Sequence, residues 1–267
     1  MWRGLYTAAA GMVTEMTRTG TIANNLANVN TTGYKRDRAI DREFEPMLIK
    51  RINDGKKKDD VTSFKRFSVG GDDLPVVGQL GLGSYTKEIA TDHVQGAFMT
   101  TGNPLDVGIA GNGYFMVQTP QGVRYTRDGH FCRQSNGDLV TVNGQAVLNQ
   151  QGRGINIPEG VTNISITAQG EIFADHQPVD QLGFVEFDDR RAVLKEGNSL
   201  YFAQEGARPR PATGTIEQGL LERSNANVIN EMVDLINNYR VYEAGSKAVV
   251  TQDSMLERSV NNVGSLS

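Results

Sequence analysis

Read at helical period, the start of the chain places Leu5, Ala9, Met12, Met16, Thr19, Ala23 and Leu26 in steps of four and three, the spacing of one seam on a helix. The first proline is Pro46, so the stripe predicts an unbroken helix of roughly 25 residues, about 37 Å long at 1.5 Å per residue. Asn28-Val29-Asn30-Thr31-Thr32-Gly33 then supplies turn-forming residues that end it. The other end of the chain repeats the alternation at Val228, Met232, Leu235, Tyr239, Tyr242, Val249, Leu256, Val260 and Val263, with Ser246 and Asp253 as its breaks. That pattern predicts a long heptad helix. Asn225 or Asn227 can cap its start, and Glu231 and Asp234 suit the positive end of its dipole.

Neither narrow seam is stable facing water, so the two helices are expected to pair as a coiled coil or to pack on neighbouring chains. The face opposite the N-terminal seam decides between these. It carries Thr14, Thr17, Gly20, Thr21, Asn24, Asn25 and Asn28, and the helix has only Arg3, Glu15 and Arg18 as charges. Solvated faces carry more charge than this. A helix surrounded by protein on most sides, and hence self-assembly, is the better reading. The assembly seam is placed on Leu5, Met12, Met16, Leu26, Val228, Met232, Leu235, Tyr239, Tyr242, Val249 and Leu256.

Between the helices the period changes. Residues 34–105 read as an extended linker, partly β or irregular, with loop markers at Lys56-Lys57-Lys58-Asp59-Asp60 and Gly70-Gly71-Asp72-Asp73. From 106 to 204, β-prone runs such as Gly113-Tyr114-Phe115-Met116-Val117 and Phe184-Val185-Glu186-Phe187 alternate with turns at Asp128-Gly129, Asn136-Gly137 and Asn143-Gly144. An all-β domain inserted between helical arms follows, an α+β organisation: helix 1–33, linker 34–105, β-domain 106–204, return linker 205–223, helix 224–267. A β-solenoid is the alternative, and no strict internal period supports it.

Composition removes several function classes. The 27 basic and 31 acidic residues are mixed along the chain, for a net charge of -4, which gives no field for a polyanion and argues against nucleic acid as a partner. A single cysteine, Cys132, permits neither an intrachain disulfide nor a thiolate metal cluster. No stretch approaches the ~20 apolar residues of a membrane span, and the start lacks the apolar core of a secretory signal, so by these signals alone the expected compartment is the cytoplasm. His93, His130 and His176 are dispersed, without metal-ligand spacing. The two Gly-x-x-Gly-x-Gly runs, at Gly78 and Gly108, have the wrong order for a dinucleotide loop. No nucleophile elbow or P-loop is present, and no catalytic residue, cofactor or metal is expected.

The run from Ile22-Ala23-Asn24-Asn25-Leu26-Ala27-Asn28 to Thr32-Gly33-Tyr34-Lys35 resembles the signature of the bacterial flagellar rod and hook proteins. Gly111-Asn112-Gly113-Tyr114-Phe115 with Tyr125-Thr126-Arg127-Asp128-Gly129-His130-Phe131, and Leu221-Glu222-Arg223-Ser224-Asn225 through Tyr242-Glu243-Ala244, resemble the family's β-domain and C-terminal helix. The resemblance makes Asn24, Asn25, Leu26, Asn28, Gly33 and Tyr34 motif residues. It implies a subunit of a helical tube in the flagellar basal body, with terminal helices on the inner wall, and other axial proteins of rod and hook as partners. It also implies delivery through the flagellar export apparatus, a type III channel, without a cleaved signal peptide, which replaces the cytoplasmic expectation with the periplasm and cell envelope. Chain length and the single β-domain suit a rod subunit rather than the larger hook subunit, and the segment from Asp41 to Leu48 with the charged stretch after it departs from the distal-rod pattern, which directs the reading toward the proximal rod. The alternative makes the β-domain a binding module for peptidoglycan or a surrounding ring protein, favoured if aromatics around Tyr125 and Phe131 are exposed.

Overall fold

In the computed structural model, which describes residues 2–50 and 76–264, helix α1 spans Trp2–Ala27 and helix α2 spans Val228–Gly264. The loop markers at 56–60 and 70–73 lie outside the described residues. Asn227 caps α2, its Oδ1 accepting from the N–H groups of Ile229 (3.0 Å) and Asn230 (3.2 Å). Asn225, the other candidate cap, is used elsewhere. Past α1 the chain turns at Gly33, which sits at φ +64°, and a Cβ there would stand 2.5 Å from the Asp128 amide nitrogen. Only glycine meets both conditions.

The chain divides into two compact units. One comprises Met1–Arg18, Ile40–Glu88 and Asn237–Ser267. In it the two helices pack antiparallel. Asn238 Nδ2 donates to the Glu15 carbonyl (2.8 Å), Met12 lies against Gly245, and Gln252 lies against Gly4. Thr14, 3% exposed, donates to the Ser84 carbonyl (3.0 Å), and Arg18 pairs with Asp41. Strands Met47–Lys50 and Val76–Leu80 pair antiparallel in this unit.

The other unit comprises Thr19–Ala39 and Ile89–Ile236 and holds a nine-stranded sheet. Its central strand, Tyr114–Thr119, is buried on both faces, which is why it reads in sequence as a continuous apolar run. Phe115 and Val117 join Ile109, Phe131, Leu139, Val147, Ile157 and Leu182 in one core cluster. Tyr114 and Met116, on the opposite face, join Tyr125, Phe187, Val193 and Tyr201 in a second. The segment 205–223, expected as a linker, carries strands Pro209–Pro211, Thr215–Gln218 and Leu220–Glu222. Thr215–Gln218 pairs with Val107–Ala110 and buries Ile216. Segment 34–105, read as an extended linker, partly β or irregular, contains strands Asp37–Glu43, Ser84–Thr91 and Phe98–Thr100.

Candidate functional site

The second unit gathers the asparagine-rich end of α1, the chain just after it, and the first turn of α2 into one polar junction. Tyr34 follows the Gly33 turn, and its hydroxyl lies within hydrogen-bond reach of Asn24 Oδ1 (2.9 Å) and Asn25 Oδ1 (3.1 Å). Asn25, 2% exposed, takes the Asp37 N–H on its Oδ1 (2.9 Å) and gives its Nδ2 to the Asp37 carbonyl (2.9 Å). Its amide thus stands in for a neighbouring strand, satisfying a backbone pair that burial would otherwise leave orphaned. The same Nδ2 is 3.2 Å from Glu231 Oε2 on α2.

Beside it lies a buried ion pair. Lys35 Nζ is 2.6 Å from Glu222 Oε1, with the two side chains 1% and 0% exposed. Lys35 also donates to the Val94 carbonyl (2.9 Å), Glu222 Oε1 accepts from the Gly96 N–H (2.8 Å), and Arg127 Nε stands 3.7 Å from Glu222 Oε2. Burial lowers the Lys35 pKa, and the Glu222 carboxylate works against that. Asn225 ties in the same segments: its Oδ1 accepts from the Arg36 N–H (2.7 Å), and its Nδ2 donates to the carbonyls of Asp92 (2.8 Å) and Val94 (2.9 Å). Lys195 places its ammonium 4.0 Å from the centre of the Tyr34 ring and pairs with Asp37 at 2.8 Å. Burial raises the Tyr34 hydroxyl's pKa, helped by the Asp37 and Glu231 charges.

His93 is held neutral. Burial first, then the Lys35, Arg190, Arg127 and Lys195 cations, push its pKa down from 6.5 to about 4, and its Nδ1 lies 2.9 Å from the Tyr114 hydroxyl. Because the folded pKa is depressed, the unfolded chain takes the proton first as pH falls. The neutral ring's contribution is therefore complete above pH 6.5 and lost as pH drops toward 4. Allowing for its partial exposure, the loss is on the order of 2 kcal/mol. Urea unfolding of His93→Gln is expected to show a shallower decline in stability between pH 6.5 and 4 than the wild type; equal slopes would contradict the assignment.

The motif residues Asn24, Asn25, Asn28, Gly33 and Tyr34 thus lie at one junction, Asn28 bonding the Asn24 carbonyl (2.9 Å). Within one subunit the residues of the apolar seam divide into two groups. Leu5, Met12, Leu26, Leu235, Tyr242, Val249 and Leu256 are half-buried, whereas Met16, Val228, Met232 and Tyr239 are exposed by 69, 37, 47 and 65%. On α2 a covered stripe runs through Glu231, Leu235, Asn238, Tyr242, Gly245, Val249, Gln252, Leu256 and Ser259, still spaced by four and three but rotated by one residue at alternate steps. The bond that Glu231 accepts from Asn25, the bond that Asn238 donates to the Glu15 carbonyl, and the close approach allowed by Gly245 set that rotation. On α1 the uncharged polar face is likewise the covered one, with Thr14, Thr21 and Asn25 among its most buried residues.

Lys35, Glu222, Arg127, Asn225 and Glu231 were absent from the expected site. Lys35, Arg127, Glu222 and Asn225 sit inside the three motif runs, and a charged residue embedded in such a run was the available signal. Tyr125 and Phe131 are 8% and 1% exposed, so they form core rather than a binding face. Among the described residues no group of three or more His, Cys, Asp or Glu side chains is placed to hold a metal ion, and no helix is long and apolar enough to cross a membrane.

Three family descriptions match the chain: "Flagella basal body rod protein" at residues 5–35, "Flagellar hook protein FlgE/F/G D1 domain" at 108–174, and "Flagellar basal body rod FlgEFG protein C-terminal" at 217–263. The flagellar basal-body rod protein FlgG of Bacillus subtilis is 34% identical, over 98% of this chain and 99% of its own length. FlgG of Agrobacterium fabrum is 35% identical over 95% and 96%. The flagellar hook-basal body complex protein FlhO of B. subtilis is 27% identical over the full length of both.

Proposed function

The chain belongs to the flagellar basal-body rod protein family, a structural family and not an enzyme one, and from that premise we propose how it builds the rod. The helices, paired as a coiled coil, form the inner wall of a helical drive shaft that transmits torque and encloses the export channel. Residues 106–204 make lateral contacts on the outside.

One observation carries this reading. Outward-facing positions of the helices hold large apolar side chains: Tyr6, Val13 and Met16 on α1 are 66–69% exposed, and Ile229, Ile236, Tyr239, Val250 and Val260 on α2 are 54–72% exposed. Scattered exposed apolar residues are ordinary, but a row of them along two helices marks a surface to be covered. The half-buried Leu5, Met12, Leu26, Leu235, Tyr242, Val249 and Leu256 hold the pair together, and Met16, Val228, Met232 and Tyr239 turn to neighbouring copies and other axial proteins. Contacts of this kind are heterologous, and a head-to-tail contact that does not close generates a helix.

We place the subunit in the proximal rod because the segment from Asp41 to Leu48 and the charged stretch after it depart from the distal-rod pattern. It reaches the cell envelope through the flagellar export apparatus. The binding-module alternative, with peptidoglycan or a ring protein as ligand, lacks the exposed aromatics that favoured it. Gold-labelled chain in isolated basal bodies is expected along the rod, at the end away from the hook. Label confined to the rings would refute the rod reading, and label at the hook end would refute only the proximal placement.

A further inference from the structure

A cleft of about 680 Å³ opens in the second unit between the asparagine-rich end of α1 and the β-sheet strands. Its charges are already used. Lys195 pairs with Asp37 at 2.8 Å, Asp128 accepts from the Thr32 hydroxyl (2.7 Å) and the His130 N–H (3.1 Å), and His130 lies 3.7 Å from Asp106. Four of its neutral side chains are not. Asn30, Asn143, Asn198 and Ser199 line it and make no side-chain hydrogen bond among the described residues. Asn198 and Ser199 hold φ of +50° and +57° in the turn between strands Val193–Gly197 and Leu200–Ala203. A serine there is less favourable than the glycine such a turn prefers, and it sets a hydroxyl at the lip.

Free amides beside charges that already have partners within the chain suit a ligand that offers neutral donors and acceptors together, as a peptide main chain does. A sugar ring would want an aromatic platform. The cleft's one aromatic, Tyr34, is 7% exposed and already faces the Lys195 ammonium. The same unit carries a matching segment. Residues 94–104 contain no charged side chain and are mostly exposed, with Val94 at 64%, Phe98 at 37% and Met99 at 43%. Among the described residues strand Phe98–Thr100 pairs on one side only, with Leu220–Glu222, so its other edge is a template for pairing.

We infer that this cleft receives the outer edge of strand Phe98–Thr100 from a second copy of the chain, as a lateral contact outside the helical wall. Cleft and strand lie in different places on one subunit, so the contact is heterologous and propagates. The inference rests on the rod reading and gives its outer layer a specific joint.

Cysteine cross-linking of rods from cells carrying the full chain tests it. In a Cys132→Ser background, Asn143→Cys with Met99→Cys, treated with a short thiol-specific cross-linker, is expected to yield a ladder of dimers, trimers and higher species. Either single cysteine is expected to yield no ladder and no dimer. Assembled rods with both cysteines and no ladder would overturn the proposal while leaving the rod reading intact. Dimers from one cysteine would overturn it too, by showing a symmetric contact. Retention of the soluble chain on an N-acetylated glycan resin, abolished by Asn143→Lys, would reassign the cleft to a sugar. Failure of the wild-type chain to enter rods would refute the rod reading, and this joint with it.

Discussion

Glu222→Gln is expected to destabilise the fold more than Lys35→Met, although each removes one partner of the same pair. Lys35 and Glu222 are 1% and 0% exposed at 2.6 Å, and Arg127, 4% exposed, stands 3.7 Å from the other carboxylate oxygen. Two cations therefore share one anion. Taking away Lys35 leaves Glu222 with Arg127 and the Gly96 N–H, still a compensated charge. Taking away the carboxylate leaves both cations buried without a counter-charge. Breaking a buried pair by deleting one partner destabilises by roughly 3–5 kcal/mol, and Glu222→Gln is expected at the upper end of that range, Lys35→Met at the lower. Against a total stability of roughly 5–15 kcal/mol, the first change leaves little margin at 37 °C. Urea unfolding of the two variants decides it. A larger loss for Lys35→Met would show that Arg127 does not share the carboxylate.

That cluster also marks where the sequence stopped being legible. Both helices were readable because few structures besides a helix call for four-three spacing over many turns, and the strands of the sheet because Tyr114–Thr119 and Phe184–Phe187 are apolar runs between turn residues. The rotation of α2 was not readable. Glu231 and Asn238, 4% exposed each, face inward because they meet Asn25 and the Glu15 carbonyl, and an apolar template counts such residues as outside. The strands of 209–222 were hidden for a related reason. Proline at 209 and 211 argues against a strand, yet Pro209–Pro211 pairs with Phe184–Phe187 at a position where lost donors are tolerated. Lys35 in a core has no pattern of its own. Only a carboxylate 187 residues away accounts for it, and pairing at that range is a property of the fold.

The outward face of α2 gives a cleaner test of assembly than the packed seam. At Leu235 or Met12, half-buried and packed within the chain, an aspartate harms the fold and the assembly together, so a missing rod could arise from either. Tyr239 is 65% exposed. Tyr239→Asp leaves the isolated chain's stability within about 0.5 kcal/mol of wild type, yet it sets a charge on the surface assigned to neighbouring copies, where desolvation without a partner costs several kcal/mol per subunit. Because every subunit of a helical polymer repeats the contact, the expected result is a normally folded chain, with unchanged urea midpoint, that does not enter the rod, and cells that do not swim. Swimming cells carrying this variant would remove Tyr239 from the interface and leave the assembly to the polar, already covered face of the helix pair. A lowered urea midpoint would instead show that the tyrosine belongs to the chain's own packing, against its exposure.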